Sequence, residues 1–419
     1  KIRNIMILNL EFKNFRSFKG CCSFTTEPTS SRAKPDNICK VATGAEGEKR
    51  VLKISLIFGA NASGKTNIIK FMYGFRRWVL NIDNRVGEDI PLYMPFKFDS
   101  DTADAPIEFS IEFITANVRY KYTIKFERSK ILAETLQSYP VGRPVLLYER
   151  MLLDDDKESD SIRFGSSLTS NKSFNVFKNQ LLLSKFLKDT PCEPVTNAAK
   201  YLSGIVVSNG FHEDTMLGED KEMLRWLYSH PDNRRMLSEF LSFADTGVTD
   251  LRLEKRSDGV EASGLHGLYK DGKDIGESDL PLKEESFGTR ALFIIGCNIL
   301  QSLQNGSPFF VDEMDSGLHS HITQLIVDIF RNKRINRNNA QLVFTTHDVN
   351  LLDQNTIRKD QIWFTEKNKY GVSEIFSLSD FSDVREDTLF GKWYLNNKFG
   401  GVPSLHPLEK LFVDNGKEE

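Results

Sequence analysis

An α/β fold, built from a β-α core with an antiparallel β lobe and an inserted helical lobe, is what three features of the 419-residue sequence predict. The apolar run Ile54-Ser-Leu-Ile-Phe stops at Gly59, gives way to a small polar loop and resumes near Thr66 with the spacing of a helix. Two later apolar strands, residues 308–313 and 341–346, end in two carboxylates and in His347-Asp348. Between these, residues 107–150 alternate with period two and residues 179–244 follow helical spacing.

The first feature is a phosphate-binding loop. Gly59-Ala60-Asn61-Ala62-Ser63-Gly64-Lys65-Thr66 has the spacing G-x-x-x-x-G-K-T. Small residues let successive backbone N–H groups turn toward one point, and the helix that opens at Thr66-Asn67 aims its positive end there. Lys65 is expected between the β- and γ-phosphates of ATP, with the Thr66 hydroxyl as one ligand of Mg²⁺.

Composition narrows the classes. With 40% hydrophobic and 27% charged residues the chain reads as a soluble globular protein, and a net charge of −3 provides no global basic field for nucleic acid. Arg76, Arg77, Lys121, Lys125 and Arg128 could share a basic surface, although a solvated face is the simpler reading. No run of eighteen apolar residues occurs and the first residues lead directly into a strand-like pattern, so no membrane contact and a cytoplasmic location are expected. Five cysteines, odd in number and without a C-x-x-C pair, read as reduced thiols, and the 31 phenylalanines as core.

In chain order, residues 5–19 alternate as a half-buried strand that turns at Asn14. The polar stretch 28–49 reads as a surface loop. After the helix at 66–80, residues 107–113 and 119–126 form a hairpin, followed by strands at 131–137 and 145–150. Asp154-Asp155-Asp156 lacks the spaced ligands and turn glycine of a calcium loop and reads as a solvated segment. Residues 179–244 read as helices with breaks near Pro191 and Pro231, and 248–254 and 265–270 as strands returning to the core.

Ser286-Phe287-Gly288-Thr289 precedes an apolar helix, 291–303, where a serine and a glycine are most simply an N-cap. In the strand that follows, Asp312 is placed to hold Mg²⁺ through water, and Glu313 to orient or deprotonate an attacking water. Asp315-Ser-Gly-Leu-His319 comes next. The strand Gln341–Thr346 delivers His347 to the same sheet edge, where it suits a γ-phosphate contact.

The order phosphate loop, insertion, S-x-G-T, apolar strand with Asp-Glu, D-x-G-L-H and T-T-H resembles the ABC-type ATPases, in particular the branch containing the SMC, RecF and OLD proteins. The resemblance covers about 1–150 and 245–405. It implies an ABC-type head with a mixed central sheet, divided as 1–150 (N-terminal part with the phosphate loop and the antiparallel lobe), 151–245 (inserted helical lobe) and 246–419 (C-terminal part). It also implies a nucleotide contact for Arg16 and Ser17 in Asn14-Phe-Arg-Ser-Phe18, and a signature role in trans for Ser286, Gly288 and Thr289. Asp315 then matches the D-loop and His347 the switch histidine. Gln137 is the candidate for the Q-loop, and the signature has Phe-Gly-Thr where transporters carry Gly-Gly-Gln.

Leu318-His319 and the tail from Trp393 to Pro403 are similar to the RloA/AbiLi group of abortive-infection ATPases, a type that also occurs in PARIS-like antiphage systems. The function this implies is an ATP-hydrolysing sensor or scaffold whose heads associate on ATP. Such a subunit controls a separate toxin or nuclease, with a phage-derived trigger. A DNA-repair or DNA-clamping ATPase is the alternative, weakened by the neutral charge and the missing coiled coil. The ATPase half of a transporter and a small-molecule kinase fit less well.

Overall fold

The computed structural model describes residues 5–82, 87–154, 159–166, 176–188, 191–210, 213–257 and 259–403. Strands β1 (Met6–Lys13) and β2 (Cys22–Thr25) pair across the turn at Asn14. The stretch expected as a surface loop is instead the antiparallel hairpin of β3 (Ile38–Ala42) and β4 (Glu48–Leu52). Its Cys39, Val41 and Val51 are buried against Met6, Leu8 and Ile114. Lys40, Lys49 and Arg50 interleave these apolar residues, which hides so short an alternation from a sequence reading.

Strand β5 (Ile54–Gly59) is buried along its whole length and runs through the loop into helix α1 (Lys65–Val79). Alternation in 107–150 becomes β6 (Ile107–Thr115), β7 (Val118–Phe126), β8 (Ile131–Tyr139) and β9 (Val145–Asp154), and β10 (Ser159–Phe164) folds back on β9. These make a seven-stranded antiparallel sheet in the order β10-β9-β8-β7-β6-β1-β2. Phenylalanines 12, 71, 75 and 109 interlock where α1 crosses it, with ring centroids 4.4–6.2 Å apart.

The helices expected within 151–245 are α2 (Leu182–Lys188), α3 (Glu193–Ser203), α4 (Glu213–Ser229) and α5 (Pro231–Phe243). Residues 159–164 belong to the antiparallel sheet, and the apolar sides of α2 and α3 join the core beneath it. Strand β11 (Val206–Ser208) is an edge strand of the central sheet. Leu227, Leu237 and Leu241 of α4 and α5 enter the second core, which also holds α6 (Phe287–Asn305). Helical spacing marks an apolar stripe; it does not say which core the stripe completes. Asp155 and Asp156 of the acidic stretch lie outside the described residues.

The strands expected at 248–254 and 265–270 belong to a three-stranded sheet of β12 (Asp250–Arg256), β13 (Gly259–Lys270) and β14 (Lys273–Pro281), separate from the central sheet, and Val248, Leu251 and Ala262 return to the second core as expected. The second hairpin of this sheet turns at Asp271-Gly272, both with positive φ, as a two-residue turn needs. Then come β15 (Phe309–Val311), α7 (Ser320–Arg331), β16 (Leu342–Thr345), β17 (Ile362–Lys367), β18 (Ser373–Ser377) and α8 (Phe390–Leu395).

The central sheet has the order β11-β15-β16-β5-β17-β18, parallel except for the β17-β18 pair. It is the mixed sheet of an α/β P-loop ATPase fold. Its parallel strands bring the ends of β5, β15 and β16 to one edge. Among the described residues no helix is long and apolar enough to cross a membrane.

Candidate nucleotide site

At that edge lies a cavity of about 840 Å³ lined by the phosphate loop from Asn61 to Asn67, by Arg16 and Ser17, and by Glu313 and His347. The loop conformation depends on its small residues. Gly64 has φ 115°, and a Cβ there would stand 2.8 Å from Ser373 Oγ and 3.0 Å from Ser17 Oγ. A Cβ on Gly59 would lie 2.5 Å from Thr365 O. Lys65 Nζ donates to the carbonyl oxygens of Gly59 (2.7 Å) and Ala60 (3.1 Å), and burial lowers its pKa below the usual lysine range. The lysine and the N–H-rich loop form a donor set that fits the phosphates of ATP, and Thr66 opens the helix beside them.

Asn14-Phe-Arg-Ser-Phe18 owes its form to packing. Phe15 and Phe18 are buried, and Asn14 Nδ2 donates to Thr102 O and Ala105 O, each at 3.0 Å. Asn14 and Arg16 take positive φ, which turns Arg16 and Ser17 toward the cavity. Ser17 Oγ accepts from Asn67 Nδ2 (2.7 Å) and from Ser373 Oγ (2.7 Å), so the N-terminal segment, the helix start and β18 are tied at one point.

The acidic pair is set by Thr345. Its Oγ1 donates to Asp312 Oδ1 at 2.6 Å and accepts the Glu313 N–H at 2.7 Å. Asp312 is buried at the end of β15, while Glu313 takes φ 48° and reaches the cavity wall. Among the described residues no group of three or more His, Cys, Asp and Glu is poised to hold a metal. Thr66 lines the cavity, while Asp312, buried next to Glu313, does not; both carry the oxygen donors that Mg²⁺ takes beside water and phosphate.

Asp315 Oδ2 accepts the backbone N–H of His347 at 3.1 Å, linking the candidate D-loop to the candidate switch histidine within one chain. Burial, and next the charge of Lys65, push the His347 pKa below its ordinary value, while Asp315 and Glu313 oppose them. This direction favours the uncharged ring at neutral pH. A ring-nitrogen NMR titration should give a midpoint below the usual 6.5. Lys65→Met should raise it by removing the repelling charge, and Glu313→Gln should lower it further. Opposite signs would rule out this electrostatic coupling.

Ser286 caps α6: its Oγ accepts the Thr289 N–H at 3.1 Å and lies 2.8 Å from Thr289 Oγ1. A Cβ on Gly288 would meet Gly317 O at 2.8 Å, so the 286–289 segment packs against the loop that carries Asp315. None of Ser286, Gly288 and Thr289 lines the cavity. Gln137 does not reach it either; it sits on β8, where its Oε1 accepts from Tyr139 OH at 3.4 Å. The basic residues grouped from sequence do not make one patch. Lys121 and Lys125 pair with Glu112 and Glu108, and Arg128 lies near Asp89 and Asp104.

Sequence reasoning missed the opposite wall, made by Tyr93, Met94, Lys97 and Phe98 with Lys70 and Lys367. The segment following α1 has neither helical nor strand period, so only its cluster of aromatic and basic residues could have drawn notice.

Comparison with known proteins places the site in a family. No curated protein sequence matches the chain. Solved structures similar to it include an SMC head bound to the C-terminal winged-helix domain of ScpA (16% identity, 88% of this chain and 97% of that chain, TM-score 0.45). Others are the SMC head domain from Thermotoga maritima (16%, 88% and 98%, 0.38) and an SMC head with an extended coiled coil bound to the C-terminal domain of ScpA, derived from Pyrococcus furiosus (16%, 89% and 96%, 0.41). The family model described as "AAA domain, putative AbiEii toxin, Type IV TA system" matches residues 54–182 and 213–353, which take in the phosphate loop, Ser286, Asp312, Glu313 and His347. The chain belongs to this AAA-domain family of P-loop ATPases.

Proposed function

We propose that the chain is an ABC-type ATPase of the SMC, RecF and OLD branch, akin to the RloA/AbiLi and PARIS-like ATPases. It acts as the sensor or scaffold of an antiphage abortive-infection system, and ATP-dependent association of its heads controls a separate toxin or nuclease. The observation that carries this reading is the division of the motifs. Lys65, Glu313 and His347 line one cavity, whereas Ser286 and the start of α6 lie outside it. A site so divided is completed by a second copy, whose serine and helix N-terminus are suited to stabilise anionic oxygens. The family description, with its toxin and toxin–antitoxin system, supports the defence role.

In this mechanism Lys65 and the loop N–H groups hold the phosphates, and Arg16, Ser17 and Asn67 fix the nucleotide's near side. Glu313 orients the attacking water and receives its proton, and neutral His347 supplies a hydrogen bond at the same edge. Thr66 and Asp312 would hold Mg²⁺, which when bound would supply Lewis-acid neutralisation of phosphate charge. Loss of the terminal phosphate removes the charge that bridges two heads and loosens them.

The test is complementation. Lys65→Ala and Ser286→Ala should each abolish turnover, the latter at a stability cost of about 1 kcal/mol for the lost cap. Mixed in equal amounts, they should regain roughly a quarter of wild-type activity, because half of the two-fold pairs then hold one intact site of two. No recovery despite proven exchange of subunits would defeat the shared site. Co-purification of the ATP-trapped protein with its genetic neighbours would separately test the effector: a stoichiometric second protein supports defence, and nucleic acid alone supports the DNA-clamping alternative.

A further inference from the structure

A second hollow, of about 640 Å³, lies at the opposite end of the central sheet. Lys53, in its wall, immediately precedes β5, whose other end carries the phosphate loop about 20 Å away. Among the described residues, five cationic side chains line the hollow, Arg32, Lys40, Arg50, Lys53 and Lys333, and no carboxylate does. In a chain of net charge −3 this is a local excess that composition conceals.

Two of the five cations are paired at the rim, Lys40 with Glu48 (3.5 Å) and Lys333 with Asp36 (3.0 Å). Arg50 and Lys53 donate to backbone carbonyls, Ser31 O at 3.0 Å and Arg331 O at 3.1 Å. Arg32 has no ion pair among the described residues. Lys53 is only 1% exposed, and that single carbonyl accepts one of its three N–H groups. Burial first, and then Lys333 and Arg331, disfavour its charge, while Asp36 opposes them. Cys39 does not compensate, because burial pushes its thiol up to about 12. A buried cation among like charges is a cost to the fold that an anion would offset.

The walls are held in place beforehand. Arg358, fully buried and paired with Asp360, donates to the carbonyls of Ser31 and Ala33, while Asp360 accepts from Thr29. Asn37 accepts from Arg331 and donates to Gln361, which ties the base of β3 to the ends of α7 and β17. Ile38 and Pro35 add an apolar surface between the cations. Two guanidinium forks match phosphate oxygens, and the volume exceeds that of a bare ion.

From this geometry we infer that the hollow is a second ligand site, distinct from the phosphate loop, that binds the phosphate groups of a nucleotide-sized anion through Arg32, Arg50 and Lys53. Free nucleotides and nucleic-acid strands both offer this chemistry. The experiment uses the full chain carrying Lys65→Ala, which disables the phosphate loop, with inorganic tripolyphosphate titrated by calorimetry. A single site weakened at least tenfold by Arg32→Glu with Arg50→Glu is expected. ATP turnover of the double variant with Lys65 intact should stay within twofold of wild type.

Arg32→Glu with Lys40→Glu, both exposed positions, is the second variant should Arg50→Glu impair folding. ADP and a single-stranded oligonucleotide, titrated in parallel, separate the two sources. Stoichiometric ADP binding lost in the variants identifies a free nucleotide, whereas oligonucleotide binding whose salt dependence falls in the variants identifies a strand. Absence of binding by all three probes, or binding indifferent to both variants, would overturn the site.

Discussion

Glu313→Gln should lower ATP turnover by about 10²–10⁴-fold, the range for loss of a positioned general base, while leaving ATP affinity within a few-fold. The amide keeps the size of the carboxylate and cannot take a proton. The backbone that aims it should survive, since the Glu313 N–H is held by Thr345 Oγ1 and not by its own side chain. Association of heads on ATP should therefore outlast that of the wild type, measured as a slower-decaying oligomer in light scattering after ATP is withdrawn. Thr345→Val should act differently. It removes both the bond to Asp312 and the support for Glu313, so it should impair Mg²⁺-dependent binding as well as turnover. Unchanged turnover in Glu313→Gln would dismiss the carboxylate from the chemistry.

The second large effect concerns folding. Glu134 on β8 is fully buried and accepts four hydrogen bonds: from Tyr122 OH (3.1 Å), Tyr148 OH (2.8 Å), Leu182 N (2.8 Å) and Leu183 N (2.9 Å). It thus satisfies the first N–H groups of α2 and its charge meets the positive end of that helix. Arg150 stands 3.9 Å away, 1% exposed, and donates to Gln180 O and Phe177 O. Glu134→Ala leaves these four donors without their acceptor and should cost about 3–5 kcal/mol. A denaturant titration should show the loss. A cost below about 1 kcal/mol would mean that water or another acceptor replaces the carboxylate.

The parts legible in the sequence are those in which backbone geometry or local chemistry restricts residue choice. Gly64 and Lys65 announce their loop, and Asp312-Glu313 and His347 stand out because polar groups close apolar strands. The supports of that site were not legible. Thr365 and Ser373 brace the phosphate loop from strands that begin about 300 residues later, and nothing local marks a serine as the partner of Ser63 or Ser17. Strand β14 escaped notice because most of it is exposed on both faces and carries no alternation. Strand β11 is too short to show any period. Gln137 ends the strand expected at 131–137, but strand alternation does not say how far β8, two strands removed from β6, stands from the phosphate loop.

The placement of β5 in the middle of the central sheet has a consequence for how the protein is made. Its neighbours are β16 and β17, both encoded about 300 residues downstream. At 5–20 residues per second, a ribosome exposes this strand, wholly buried in the finished fold, for about 15–60 s before either partner emerges. During that interval the phosphate loop lacks the Thr365 and Ser373 braces, and the tail that sets Gly401 against Gly59 is unmade. The newborn chain therefore presents a sticky, unpaired strand and no finished nucleotide pocket. ATP can stabilise the completed molecule only; the growing one depends on chaperones or on early pairing of the antiparallel sheet to keep β5 from its neighbours on the same polysome.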